Sequence, residues 1–246
     1  MPAPTPTYVP GHGLLAGKTV VVTAAAGTGI GSAVARKAIE EGATVLISDF
    51  HERRLGETAD RLADETGHRP ATQVCNVTVE DDVQALVAAA VEHLGGIDVM
   101  INNAGLGGSA PIVDMTDEQW STVLDVTLTG TFRCTRAVLR HMVERGSGVI
   151  VNNASVLGWR AQAEQAHYAA AKAGVMAPTR CTAIEAAPRH PGQRRGAEPG
   201  HAPVPGQGHH RRPPRRAHRA QAFGRYAEPW RSPTSWSSWP ATTPAT

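Results

Sequence analysis

The stretch from Lys18 to Asp49 constrains the fold more tightly than any other part of the chain. KTVVVT is short, apolar and β-branched, which suits a strand packed on both faces. It enters AAAGTGIG and then SAVARKAIEEG, a helical pattern, before a second β-branched run, TVLIS, ends on Asp49. A strand, a glycine turn, a helix and a strand form the crossover unit from which parallel sheets are built. Gly27, Gly29 and Gly31 let the backbone turn tightly and come close to a ligand. The helix opening at Ile30 leaves free N–H groups that stabilise a pyrophosphate. An acidic side chain at Asp49 can accept hydrogen bonds from an adenine ribose and repels a 2′-phosphate, so NAD is expected over NADP. His51, Arg53 and Arg54 follow at once. An arginine there suits a 2′-phosphate, which keeps NADP open as the alternative. A glycine-rich turn with no ligand is the plainer reading of the loop taken alone.

The same alternation continues to about residue 187. Strands are expected near 18–23, 44–48, 71–75, 98–102 and 148–153, with helices near 30–41, 51–66, 79–94 and 116–143 and a last one from about 165. That order predicts an α/β fold, a doubly wound parallel sheet with helices on both faces. GIDVMINNAG puts Asn103, Ala104 and Gly105 at the carboxyl end of the fourth strand, the end at which open parallel sheets bind ligands. Asn76 and Val77 stand at the end of the third. Met115, Trp120, Val123 and Leu124 are expected as core and interface contacts.

Chemistry is suggested by Ser155, Tyr168 and Lys172, in NNASVLGWRAQAEQAHYAAAKAG. Tyr168 and Lys172 are four apart, so a helix over 167–187 projects both from one face. A phenol has a pKa of about 10, and an adjacent ammonium favours its ionised form. Tyr168 is thereby a candidate general acid or base. The bland reading of YxxxK alone is two residues on an ordinary amphipathic helix.

Taken together, the glycine loop, the NNAG turn, the serine and the YxxxK pair resemble the short-chain dehydrogenase/reductase family over roughly residues 14–187. The resemblance implies a Rossmann-like fold, a nicotinamide cofactor and a secondary alcohol or ketone as the small-molecule substrate. By it, Tyr168 exchanges the proton, Lys172 holds the nicotinamide ribose, and Ser155 hydrogen-bonds the substrate oxygen. The family's fourth catalytic residue, an asparagine, aligns with Thr127 in DVTLTG. The family loop is usually TGxxxGxG, whereas here Thr23 and Gly29 are one residue further apart and Ala24 replaces the first glycine. HGLLAGK, VTAAAGTGIG, HERRLGET and NNASVLGWRAQ are most similar to bacterial reductases acting on CoA-linked ring fragments of steroid catabolism. A homo-tetramer or dimer is implied for an intact member.

Composition divides the chain. Residues 1–187 carry 14 Lys and Arg against 20 Asp and Glu, while 188–246 carry 10 Arg, no Lys and 2 Glu. Eleven of the 18 prolines fall in that second part, a spacing that no helix survives. The expected organisation is a disordered arm over 1–13, the nucleotide-binding catalytic domain over 14–187, and an aberrant Pro/Arg-rich tail over 188–246. One reading of the tail is a nucleic-acid arm, which would make the protein a non-catalytic nucleotide- or nucleic-acid-binding platform. The favoured one is a shifted reading frame. One permissible codon choice for 188–221, read one base later, encodes a stretch similar to the family's next strand and substrate loop. On that view the chain as it stands is an inactive, truncated enzyme. Cys75, Cys134 and Cys181 are odd in number and lack CxxC spacing, so no disulfide framework or metal site is expected and a reducing cytoplasm fits. No apolar run reaches membrane-spanning length, and MPAPTPTYVP has neither the basic start nor the apolar core of a signal peptide.

Overall fold

In a computed structural model, which describes residues 8–187, the β-branched runs become β1 (Thr19–Val22), β2 (Thr44–Asp49), β3 (Ala71–Val74), β4 (Val99–Asn102) and β5 (Val149–Asn152). Between them run α1 (Ile30–Glu40), α2 (Glu52–Thr66), α3 (Glu80–Leu94), α4 (Asp117–Leu124) and α5 (Gly130–Arg145), and α6 (Ala166–Ala186) follows. The strands are parallel in the order β3-β2-β1-β4-β5. This is the Rossmann-like doubly wound sheet that the alternation predicts. The described residues up to Arg180 belong to one compact unit, and the last residues of α6 with Ala187 fall outside it.

Side chains alternate across a strand, so each strand feeds two cores. Val20, Val22, Val45 and Ile47 pack with Ala35, Ala38 and Ile39 of α1 and with Leu55, Ala59 and Leu62 of α2. Val21, Leu46 and Met100 face the other way, onto Val83 and Leu86 of α3 and Cys134 and Val138 of α5. The chain leaves β1 for one side of the sheet and reaches β4 on the other. The carboxyl ends of β1 and β4 therefore border the crevice where such sheets take ligands.

Two expectations need correction. The helix expected over 116–143 is three pieces: α4, a π-helical turn at Asp125–Thr129, and α5. A capping box opens α4, with Thr116 Oγ1 accepting from Gln119 N–H at 3.1 Å and Gln119 Oε1 accepting from Thr116 N–H at 2.9 Å. Val123 is buried there and Trp120 is exposed. Residues 8–13, expected within the frayed arm, are tied to the end of α1. Glu41 accepts from His12 N–H at 2.8 Å and Leu14 N–H at 3.1 Å, Lys37 Nζ donates to Val9 O at 2.9 Å, and the Tyr8 hydroxyl bonds Glu40. The two backbone donors, with Lys37 beside them, hold the Glu41 carboxyl down at about 2. The rest of the expected arm, residues 1–7, and the expected tail with its frame-shift and nucleic-acid readings, 188–246, lie outside the described residues.

Candidate active site

The end of β1 organises the crevice through one hydroxyl. Thr23, 1% exposed, accepts at Oγ1 from Asn103 N–H at 3.0 Å and Ala104 N–H at 3.1 Å, and its hydroxyl donates to Ile101 O at 3.4 Å. Asn103 returns its amide to Thr23 O at 3.2 Å and Ala24 O at 3.0 Å. The asparagines after β4 and β5 then pair across the sheet. Asn102 is in register with Asn152 and donates to its Oδ1 at 2.8 Å, while Asn153 donates to Asn103 Oδ1 at 2.9 Å. The repeated NNA that closes both strands was the sequence signal for this ladder, and the reading of NNAG alone missed it.

The glycine loop is shaped to let backbone approach. A methyl built on Gly31 would lie 2.4 Å from Ala24 O and 2.7 Å from Asn103 Nδ2, so only glycine fits. Gly29 precedes α1 with no side-chain cap, which leaves the first amides of that helix, at Ile30 and Gly31, open to an anion. Gly27 departs from expectation. Its N–H donates to Thr58 Oγ1 at 2.8 Å and its carbonyl accepts from Arg61, so both polar groups turn to α2 instead of the pyrophosphate side. Asp49, 7% exposed at the end of β2, accepts from Ala26 N–H at 3.2 Å and His51 N–H at 3.1 Å. Asn76 stands exposed after β3, and its Oδ1 is taken by Thr78 N–H and Oγ1 at 3.0 and 2.9 Å. What it can offer an adenine is therefore its amide N–H groups. Val77 is buried beside Gly130, where an added methyl would meet it at 2.7 Å.

Two of the residues singled out for chemistry lie on α6 and the third, Ser155, on the turn that rests against it. Tyr168 and Lys172 share one face, with Lys172 Nζ 5.6 Å from the phenol ring centroid. Lys172 is 3% exposed, donates to Asn153 O, and has its pKa lowered by burial. Ser155 begins a 3-10 turn at Val156–Gly158 and accepts from Leu157 N–H at 3.2 Å. That turn rests on α6: a methyl on Gly158 would lie 3.0 Å from Ala173 N. The 105–108 backbone covers the same helix, because methyls built on Gly105, Gly107 and Gly108 would lie 3.4 Å from Lys172 Nζ, 3.9 Å from Tyr168 and 3.0 Å from His167 Nε2. Thr127, fully buried in the π turn, accepts from Leu106 N–H at 2.9 Å and donates to Leu106 O at 3.1 Å. Its hydroxyl proton is committed to that carbonyl, so Thr127 anchors the loop.

Several neighbours carried no sequence signal. Ser109 Oγ bonds the Glu164 carboxylate, Ala110 N–H donates to Glu164 O at 3.1 Å, and Gln165 donates to Gly108 O. Glu164 holds these contacts at φ 65°, a left-handed conformation unusual for a residue with a side chain. Among the described residues no group of three or more His, Cys, Asp or Glu is placed to hold a metal. No described helix is long and apolar enough to cross a membrane.

Known proteins share this arrangement. The family model for short chain dehydrogenases matches residues 18–190. A Mycobacterium tuberculosis protein named (5R,7aS)-5-hydroxy-7a-methyl-1-oxo-2,3,5,6,7,7a-hexahydro-1H-indene-carboxyl-CoA reductase is 62% identical over 183 residues, 74% of this chain and 70% of that one. Two further curated relatives are matched over 64% and 71% of their own lengths. Among solved structures, a short chain dehydrogenase from Mycobacterium smegmatis is 63% identical with a TM-score of 0.73, over 74% of this chain and 77% of that one. An NAD+-bound xylitol dehydrogenase is 34% identical with a TM-score of 0.67, over 70% of this chain and 66% of that one.

Proposed function

The chain belongs to the short-chain dehydrogenase family, and on that premise we propose that it interconverts a secondary alcohol and a ketone, with NAD(H) as the preferred cofactor. The observation that carries the reading is the convergence of Tyr168, Lys172, Thr127 and the Gly105–Gly108 backbone at the carboxyl end of β4. The residues present fit a dinucleotide. The Gly31 cradle and the open amides of α1 suit a pyrophosphate, Asp49 a ribose diol, and Asn76 with Val77 an adenine. When bound, the nicotinamide supplies the two-electron acceptor or donor.

In this reading Tyr168 gives a proton to the carbonyl oxygen or takes one from the alcohol. Ser155, whose Oγ accepts from Leu157 N–H, keeps its own O–H free to donate to that oxygen and hold it in place. Lys172 binds the nicotinamide ribose, and its cation favours negative charge gathering on the phenolic oxygen. No described carboxylate pairs with Lys172, so its field is not cancelled. Thr127 contributes by fixing Leu106 and hence the loop over Tyr168. Asp49 supports NAD over NADP, and of the arginines following it Arg53 is paired with Glu57 at 2.6 Å.

Identity to the mycobacterial enzyme supports a CoA-linked ring ketone of steroid breakdown as substrate. The exposed Trp120 and Phe132 of α4 and α5 support a homodimer or tetramer. The family match favours this enzyme reading over a nucleotide- or nucleic-acid-binding platform. It ends at residue 190, next to the change of composition at 188, which supports a shifted reading frame beyond that point. Sequencing the coding DNA tests the frame. Reduction of a panel of ring ketones and their CoA thioesters by the chain with its reading frame restored, followed by NADH absorbance, tests the activity. Consumption of NADH with a bicyclic CoA thioester supports the proposal, and salt-sensitive DNA binding without turnover overturns it.

A further inference from the structure

We propose that Thr58 and Arg61 of α2 are positioning residues for the dinucleotide: they clamp a glycine loop that is one residue longer than the usual form and so aim its last amides at the pyrophosphate. The inference rests on the dinucleotide reading above. A longer loop has more conformations, and a phosphate-binding loop works only if its free N–H groups are held in one of them. Here the additional length is taken up on the α2 side of the crevice. The chain enters a left-handed conformation at Ala24, φ 50°, and again at Gly27, φ 86°. Between these turns three successive amides are tied down in one direction. Ala25 N–H donates to Ser48 O at 3.0 Å, Ala26 N–H to Asp49 at 3.2 Å, and Gly27 N–H to Thr58 Oγ1 at 2.8 Å. The Gly27 carbonyl is held from the same helix by the Arg61 guanidinium. Because Ala25 to Gly27 all bond β2 or α2, the pyrophosphate is left to Gly29, Ile30 and Gly31.

The pair is built for this task. Thr58 and Arg61 are three apart and share a helix face. Thr58 is 2% exposed, and its hydroxyl donates to Arg54 O at 2.8 Å, which fixes its remaining lone pairs toward Gly27. Arg61 reaches the loop from a partly exposed position and is steadied by Glu65 at 3.5 Å. Its charge also adds positive potential beside an anion site. Neither residue is placed to touch the nicotinamide end, so both act through the loop.

The test measures binding by the full chain, with NADH, ADP and adenosine as probes, for Thr58→Val, Thr58→Ser and Arg61→Gln. Loss of one clamping hydrogen bond should weaken NADH and ADP by roughly tenfold. Adenosine, which lacks the pyrophosphate, should bind as before, and Thr58→Ser should restore NADH affinity. Arg61→Gln alters a half-exposed side chain and keeps the test open if Thr58→Val does not fold. Equal NADH affinity in Arg61→Gln and the unaltered chain overturns the inference, as does parallel weakening of all three probes, which would mark a packing role. Absence of NADH binding in the unaltered chain overturns the dinucleotide reading and this inference with it.

Discussion

Replacing Thr23 with valine keeps the shape of the side chain and removes the hydroxyl that joins β1 to the turn after β4. The cost follows from what the two amide donors have left. Asn103 N–H also lies 3.1 Å from Ile101 O, so it retains an acceptor. Ala104 N–H depends on Thr23 at 3.1 Å, and at a site 1% exposed water does not replace that bond. An orphaned buried donor costs about 1–3 kcal/mol and a weakened shared bond about 0.5–1.5 kcal/mol. The donation to Ile101 O, at 3.4 Å, adds little. A buried methyl in place of the hydroxyl returns about 0.8 kcal/mol. The net loss should be about 1–4 kcal/mol, which for a chain of this size lowers Tm by roughly 2–16 °C. Urea unfolding should show the midpoint shifting with its slope unchanged. Thr23→Ser keeps the hydroxyl and should lose less than half as much. A valine variant as stable as the parent refutes the assignment of Thr23 as the acceptor for this turn, because an orphaned buried donor costs at least about 1 kcal/mol against the roughly 0.8 kcal/mol that a buried methyl returns.

Gly31→Ala puts a methyl 2.4 Å from Ala24 O, so the loop must shift; calorimetry should find NADH affinity reduced at least tenfold, and parent-like binding contradicts the cradle. Asp49→Ala removes the negative charge at the end of β2 and should narrow or reverse the NADH/NADPH ratio of catalytic efficiencies; an unaltered enzyme that already prefers NADPH contradicts the cofactor preference. Lys172 has a folded pKa lowered by burial, so the unfolded chain holds this proton to higher pH and the cost of burying the cation is fully present below the lowered value. That cost is relieved as pH rises from the lowered value toward the ordinary lysine value, so any stability advantage of Lys172→Met over the parent should shrink across that alkaline window. A constant difference across it refutes the lowered pKa.

The sequence made most of the sheet legible because its strands differ sharply from their surroundings. The β-branched runs at Thr19–Val22 and Thr44–Asp49 are closed by glycine loop or helix signals, and both fall where periodicity places them. The places of Asp49, Tyr168 and Lys172 in the fold, though not their roles, were readable for a similar reason, being set by strand length and helical spacing. Gly27 was not. Its direction depends on Thr58 and Arg61, about thirty residues later, and no local pattern encodes that contact. Thr127, which the family resemblance puts in the place of the fourth catalytic residue, has a setting that the sequence does not show: Leu106 takes both of its hydrogen-bonding roles. Residues 8–13, YVPGHG, read as an arm because they carry no strand or helix periodicity, while what ties them down is a glutamate presented by the end of α1. Glu164 is the same kind of case: its left-handed backbone is imposed by Ser109 and Ala110 across the site.

On the proposed function, Tyr168 of the chain with its reading frame restored transfers the proton in a nicotinamide-dependent reduction of a ketone. The most direct test is single-turnover NADH oxidation at saturating ketone, comparing the parent with Tyr168→Phe. The ring stays in place and only the hydroxyl is lost, so turnover should fall by about 10²–10⁴-fold, while NADH binding measured on the same samples stays within about twofold of the parent. Near-parent turnover by Tyr168→Phe, or a loss of turnover matched by a loss of NADH binding, would contradict the account.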